Sequence, residues 1–521
     1  MSGTHGDLRI QHSSRKGQAR FRLAAGSALL LFVFLLAAEQ APLAPQIQAA
    51  VDHVSANSLR GHLAFIASDL LEGRATPSRG LDLAAEYIAA QFRRAGLEPA
   101  GDDGYYQTAE MIEIEPPKDG FEMTIVDHGR AISVNSEEVT PRFHTALEIP
   151  GKSLYKLDGH DEPAMKDLKA EDVDGKVVVT ELPDFSGAVA GDAIRRFRML
   201  LSAIRRARPA LTVMLTRDGI AELNTRLVTP EEDKTAGPLR LIVRNSEALK
   251  WYAALGPGPT LAVLKLRLPE PRETRVKLRN VIGLLRGSDP ALKQSYVLVT
   301  AHYDHLGMRP EGDGDRIFNG ANDDGSGTVS VIELASALAT LNPRPKRSIV
   351  FMTFFGEEEG DLGSHYYADH PVFPIEKTVA DVNLEQVGRT DAADGPKLSQ
   401  GTFTGDDYSD LPRVFRAAGK RTGVRVLSDK PYGDSFFARS DNVAFAEKGI
   451  PAHTLAVAFE FSDYHQVGDK WQKIDYDNMA KVDRMLALGL IMLADSPRAP
   501  RWNESIPEAE KYVEAWREHH R

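Results

Sequence analysis

Ser295-Tyr-Val-Leu-Val-Thr-Ala-His-Tyr-Asp304 is the stretch that decides the fold. Its opening residues form a short apolar, β-branched run that reads as a buried strand. The chain turns polar directly after it, which leaves His302 at the C-terminal edge of that strand and Asp304 two residues beyond. Open α/β sheets build their sites at this edge. A carboxylate so placed can accept a hydrogen bond from the far nitrogen of the imidazole, fixing its tautomer and raising its basicity.

Outward from this strand the pattern repeats. Ser348-Ile-Val-Phe-Met-Thr-Phe-Phe355 and Val379-Ala-Asp-Val-Asn-Leu384 are two more buried runs; the first ends in Gly356 and three glutamates, the second in Glu385. Between the first strand and these lies Asn319-Gly-Ala-Asn-Asp-Asp-Gly-Ser-Gly327, followed by a run from Thr328 to Leu338 with helical periodicity. His465 follows the aromatic-rich stretch Phe459 to Tyr464. Strands alternating with helices predict a three-layer α/β domain with a mostly parallel central sheet and helices on both faces. Carboxylates and imidazoles collected at strand edges are the ordinary ligands of a hydrolytic zinc site, with one spare carboxylate as general base. Neighbouring residues at a strand edge point in different directions, so Glu357 and Glu358 can divide that work. Taken alone, Asp323 or Asp324 is better read as a helix N-cap.

Five blocks stand in a fixed order: His302-x-Asp304, Asn322-Asp-Asp-Gly-Ser-Gly327, Glu357-Glu358 after a glycine, Asn383-Leu-Glu385 and Tyr464-His465. In that order they resemble the co-catalytic di-zinc aminopeptidases, peptidase family M28, which include bacterial leucyl aminopeptidases and glutamate carboxypeptidase. His62–Arg74 and Gly80–Gly101 resemble the opening of the same family. The resemblance implies two Zn²⁺ ions, one held by His302, Asp323 and Glu385, the other by Asp323, Glu358 and His465. Asp323 is then the bridge and Asp324 its neighbour, while Glu357 is general base and acid, and Asp304 supports His302. The implied activity is exopeptidase: hydrolysis of N-terminal residues from peptides by a water bridging the zincs. Three features depart from the family pattern. Glu385 stands where aspartate is more frequent, and Ser440-Asp441-Asn442 stands for Ser-Asp-His. Phe437 occupies a position where some members place a tyrosine hydroxyl, so that hydroxyl is either missing here or supplied from elsewhere, with Tyr432 and Tyr464 as candidates. His305, His365, His370 and His453 match no ligand position and are read as ordinary surface or packed imidazoles.

The same resemblance admits three rivals. A glutamate-carboxypeptidase-like enzyme predicts a basic cluster from an insert, with Arg195, Arg196 and Arg198 as loose candidates. A glutaminyl cyclase uses one zinc, against which the five ligands speak. A non-catalytic receptor-like ectodomain would have lost ligands that are all present here.

Composition agrees with a multi-unit globular chain: 521 residues, 42% hydrophobic and 26% charged. A net charge of −11 argues against nucleic acid and offers no basic surface to a membrane. With 15 histidines and no cysteine, any zinc must be held by oxygen and nitrogen. Arg15, Lys16, Arg20 and Arg22 precede the apolar run Leu23–Ala38, a charged region followed by a hydrophobic one, so residues 1–50 read as a signal peptide or N-terminal anchor and linker. This places the protein outside the cytoplasm, secreted or periplasmic, with membrane anchoring only through that segment. Residues 51–114 read as a helical part of the peptidase domain, with Ala84–Ala95 the clearest amphipathic helix and Gly96 its stop. From 115 to 271, short β-rich runs such as Lys176–Glu181 and Leu211–Thr216 suggest a protease-associated-type insert. Residues 272–500 form the catalytic unit, and 501–521 a charged tail with Trp502, Tyr512, Val513 and Trp516 as packing residues.

Overall fold

The computed structural model describes residues 42–519 except 116, 118, 142–144, 184–189, 217–225, 231–238, 310–313, 429 and 431, and gives the backbone alone at 190–194, 226 and 432. The apolar run at 23–38 lies outside the described residues. Among the described residues, no helix is long and apolar enough to cross a membrane.

A ten-stranded sheet organises the larger part of the chain. Its centre is four parallel strands in the spatial order Ala452–Ala456, Thr378–Leu384, Tyr296–His302, Ser348–Phe354. All residues of Tyr296–His302 and Ser348–Phe354 are buried, as expected of strands covered on both faces. Register then brings the strand ends level. His302 lies opposite Phe354, Thr300 opposite Asn383, and Leu384 opposite Leu455. The residues that follow these strands, Glu357, Glu358 and Glu385, therefore gather around His302. The strands flanking this centre on either side run antiparallel to it: Arg272–Leu285 pairs with Ser348–Phe354, and Gln400–Phe403 with Ala452–Ala456.

Helices cover both faces. Against one pack Ala56–Ile66, Arg79–Ala95, Gly327–Ala339, Leu411–Thr422 and Tyr476–Asp495, in a continuous apolar core that includes Leu63, Ile88, Val331, Phe415 and Leu486. Against the other pack Leu362–Asp369, Asn442–Ala446 and the tail helix Glu510–His519, whose Tyr512 and Val513 join Trp502 and Phe437 in the core. The tail is thus part of the third layer. Ser78 caps the Arg79–Ala95 helix by accepting from the backbone N–H of Leu81, and Gly96 ends it with φ 77°, a left-handed conformation that glycine adopts without steric cost.

One element departs from expectation. The segment 51–114 is not helical throughout, because Tyr106–Glu115 is a strand of the main sheet, paired antiparallel with Arg272–Leu285. Its side chains alternate, Gln107, Ala109 and Met111 being buried and Glu110 exposed, which is the period-two pattern of a strand. The neighbouring amphipathic helix masked that alternation.

A second, eight-stranded sheet runs from Glu122–Asp127 to Gly258–Leu268 and has apolar cores of its own, one around Ile125, Val179 and Leu264 and one around Leu157, Leu200 and Met214. Arg226–Val228, within the same stretch of sequence, pairs instead with Tyr106–Glu115 at the rim of the main sheet.

Asp381, fully buried on the central strand Thr378–Leu384, has one oxygen 2.8 Å from the Thr300 hydroxyl and none bonded to the other. Burial pushes its pKa up to about 8, so the folded protein holds it as a neutral acid. An unfolded aspartate loses its proton near pH 3.9, so the folded state binds more protons over roughly pH 4 to 8 and the contribution of Asp381 falls as pH rises through that window. Asp381→Asn does not titrate. Its melting temperature relative to the parent should therefore rise from pH 5 to pH 8, by at most about 1.4 kcal/mol of stability per pH unit. A pH-independent difference in melting scans would disprove a neutral Asp381.

Candidate metal centre

His302 ends its strand fully buried, and among the described residues neither ring nitrogen has a hydrogen-bond partner. Carboxylates surround it instead. Nε2 lies 3.5 Å from Asp323, 3.7 Å from Glu357 and 3.7 Å from Glu385, and Nδ1 lies 3.5 Å from Asp304. Burial opposes a charge on this imidazole, yet these acids hold its pKa well above the usual histidine value.

Asp304 does more than flank the ring. Its Oδ1 accepts from the backbone N–H of Glu357 at 3.2 Å, and its Oδ2 accepts from the Thr76 hydroxyl at 3.2 Å. One carboxylate therefore ties the strand that delivers His302 to the turn that delivers the glutamate pair.

The Gly320–Gly327 turn presents Asp323 with φ −107° and ψ 104°, outside the helix that follows. Asp324 takes the capping role, its Oδ1 accepting from Gly327 N at 2.9 Å and from Gln386 N at 3.1 Å. Asn322 accepts from the backbone of Gly388 and Arg389 at 2.9 and 2.8 Å, which fixes this turn to the loop carrying Glu385. Asp469 accepts from the backbone N–H groups of Asn322 and Asp323 at 2.9 and 3.1 Å. Four residues after His465, it thereby links the last block to the turn that carries Asp323.

The other oxygen of Asp323 lies 3.1 Å from His465 Nε2, and the same nitrogen lies 3.3 Å from Glu358. Asp323 thus faces two groups of donors at once. Burial works against its charge, but contacts with His302 and His465 hold its pKa well below the usual carboxylate value. Burial likewise opposes a charged His465, while Glu358 and Asp323 carry its pKa up to about 11.

His305 corrects its reading as an ordinary packed imidazole. It is buried, its Nδ1 is 2.7 Å from Glu358, and its Nε2 has no partner. Among the described residues, two sets of potential donor atoms are close enough to share a cation: His302, Asp323 and Glu385, and His305, Asp323 and Glu358. His465 adjoins the second. In sequence His305 is simply next to Asp304, and its place is set by Gly320, where an added Cβ would come within 2.4 Å of the His305 ring. His453 is packed as expected, between Ser409 Oγ and the Thr404 carbonyl. Phe437 is core, ringed by Tyr408, His453, Trp502 and Tyr512. Tyr464 stacks on His465 with ring centroids 4.1 Å apart. Burial, reinforced by the charges of Asp323 and Glu358, pushes its phenol well above the usual range, so the hydroxyl keeps its proton and can donate. The side chain of Tyr432 lies outside the described ones.

The donors fit divalent cations. A buried imidazole with both nitrogens unbonded, next to an unbonded Asp323 oxygen and a surplus of carboxylates, is costly unless a cation completes it. All donors are oxygen or nitrogen, the set that suits zinc and similar ions.

A parallel sheet edge that gathers two such donor sets around a shared carboxylate, with Glu357 beside them, defines the class as an α/β protein with residues that could hold metal at this edge. Residues 280–489 match the model of Peptidase family M28. The chain is 32% identical to aminopeptidase YwaD of Bacillus subtilis (strain 168) over 192 residues, 35% of this chain and 38% of that protein. It is 35% identical to a probable zinc metalloprotease of Pyrenophora tritici-repentis (strain Pt-1C-BFP) over 263 residues, 43% of this chain and 59% of that one. The chain thus spans less than two thirds of the length of these curated relatives. Its fold is similar to that of an aminopeptidase from Aneurinibacillus sp. strain AM-1, with a TM-score of 0.57 covering 88% of this chain and 97% of the other at 18% identity.

Proposed function

We propose that this chain is a zinc-dependent exopeptidase that removes N-terminal residues from peptides. The observation that carries the reading is Asp323, whose two oxygens face His302 on one side and His465 on the other. In this reading His302, Asp323 and Glu385 hold one zinc and Asp323, Glu358 and His465 the other. His305 steadies Glu358 through its 2.7 Å contact. Bound there, the ions would supply a Lewis acid for the scissile carbonyl and would lower the pKa of a water they hold.

The chain's own groups do the rest. Glu357, positioned by the bond from its backbone N–H to Asp304, takes a proton from water and returns it to the leaving amine. Burial and the surrounding carboxylates push its pKa well above the usual value, which favours a group that can carry a proton. Tyr464 donates its hydroxyl to the developing oxyanion, in place of the tyrosine that Phe437 replaces. Tyr464→Phe should lower kcat by about 10²–10³ with little change in metal content, the usual cost of one such donor. Unchanged kcat would move the oxyanion role elsewhere.

The eight-stranded unit is in this reading a protease-associated-type insert, and the charged and apolar N-terminal segment directs the chain out of the cytoplasm. The test is metal content together with hydrolysis of aminoacyl-nitroanilides and their N-acetylated counterparts. Two zincs with turnover of free-amine substrates alone is the expected result. Metal without hydrolysis of either series would favour carboxypeptidase or cyclase substrates, and absence of metal would end the catalytic reading.

A further inference from the structure

We propose that Arg74, with Thr76, is a positioning device for the metal centre, so that its loss weakens metal binding before it weakens the fold. This rests on the metal-site reading above. Arg74 is fully buried, and its guanidinium bonds to no carboxylate among the described residues. It donates instead to four backbone carbonyls. Nε reaches Tyr303 O at 2.7 Å, Nη1 reaches Ile66 O and Asn319 O at 2.7 Å each, and Nη2 reaches Gly320 O at 2.9 Å.

Those carbonyls belong to three pieces of chain. Tyr303 sits between His302 and Asp304, Asn319 and Gly320 open the turn that presents Asp323, and Ile66 ends a helix. The planar fork therefore sets the spacing between the strand end that carries His302 and the turn that carries Asp323. The grip is mutual, because the Arg74 carbonyl accepts from His305 N at 3.2 Å and the Thr76 hydroxyl bonds Asp304. Gly73 allows the close approach. It has φ 72°, and a Cβ there would come within 2.3 Å of Gly307 O and 2.5 Å of Phe318 O.

A buried cation is costly unless its surroundings compensate it. Here four carbonyls take four of its five N–H donors, and Asp304, Asp469, Asp324 and Asp323 lie near enough to act on the charge. An arginine needed only to fill space would serve as well with an apolar side chain of similar volume. The planar fork of donors is what lysine cannot reproduce.

The experiment uses the full chain stripped of metal with a chelator, and compares the parent with Arg74→Lys and Thr76→Val. Zinc binding is followed by titration calorimetry, and folding without metal by circular dichroism and thermal melting. The expected result is a 10–100-fold weaker zinc affinity in Arg74→Lys, the range for residues that orient metal ligands, and up to about tenfold in Thr76→Val, with the metal-free variants still folded. Parental zinc affinity in both variants overturns the proposal. Should Arg74→Lys fail to fold, Thr76→Val decides alone, since valine matches threonine in shape. A parent that binds no zinc overturns the metal reading itself, a result distinct from a parent that binds zinc alongside variants that bind it equally well.

Discussion

Glu357→Gln is expected to lower kcat by about 10²–10⁴ while leaving two zincs in place. The magnitude is that of a positioned general base and acid. Glutamine keeps the shape of the side chain and cannot accept the proton. Metal should be retained because Glu357 belongs to neither donor set, and its carboxylate lies 3.7 Å from His302 without joining His302, Asp323 and Glu385. Its neighbour Glu358 points to His305 and His465 instead. This division of two adjacent carboxylates follows from the turn after Ser348–Phe354, where Gly356 takes φ 68° and the backbone N–H of Glu357 turns toward Asp304. Steady-state kinetics and elemental analysis on the same preparation decide the matter. Loss of zinc along with activity would make Glu357 a ligand, and retained turnover would remove it from the proton path.

The strands that build the site are readable from sequence because they are buried on both faces. Runs such as Ser295–Ala301 and Ser348–Phe355 are continuous and apolar, and they coincide within a residue with Tyr296–His302 and Ser348–Phe354. Their order along the chain, with a helix between, suffices to place His302, Asp323, Glu358 and Glu385 at one edge. Tyr106–Glu115 is harder. Its partner Arg272–Leu285 is separated from it by the whole insert, and only one of its faces is well buried, so the alternation is short and set beside a strong helix.

The residues that brace the site were the least legible. His305 gains its role from Glu358, 53 positions away, and Arg74 chiefly from three carbonyls more than 220 positions away. Backbone carbonyls leave no mark in a sequence. Asp469 carried a faint signal, being the acid that closes Tyr464-His-Gln-Val-Gly-Asp469, but its bonds to Asn322 N and Asp323 N need the fold to be seen. Spacing reveals groups that must meet a ligand. It does not reveal groups that must meet the backbone.

Asp323→Asn should release both metals, where Glu385→Gln should release one. The two oxygens of Asp323 face different groups, 3.5 Å from His302 on one side and 3.1 Å from His465 on the other, so in the proposed arrangement each serves a different ion. An amide replaces one of those oxygens with N–H donors, which cannot ligate a cation, and it removes the charge that both sets share. The substitution should be mild for the fold. Asp324, not Asp323, bonds the first backbone N–H of the following helix, and Asp469 holds residue 323 through the main chain, which asparagine retains. Zinc affinity is therefore expected to fall by more than about 100-fold, the upper figure for residues that only orient a ligand. Melting of the metal-free protein should change little, or rise slightly, since one buried charge is gone from a crowded acidic site. Dialysis followed by elemental analysis gives the stoichiometry directly. If Asp323→Asn still retains two zincs, the shared-carboxylate arrangement is wrong; if it retains one, the remaining ion identifies which donor set stands without the bridge.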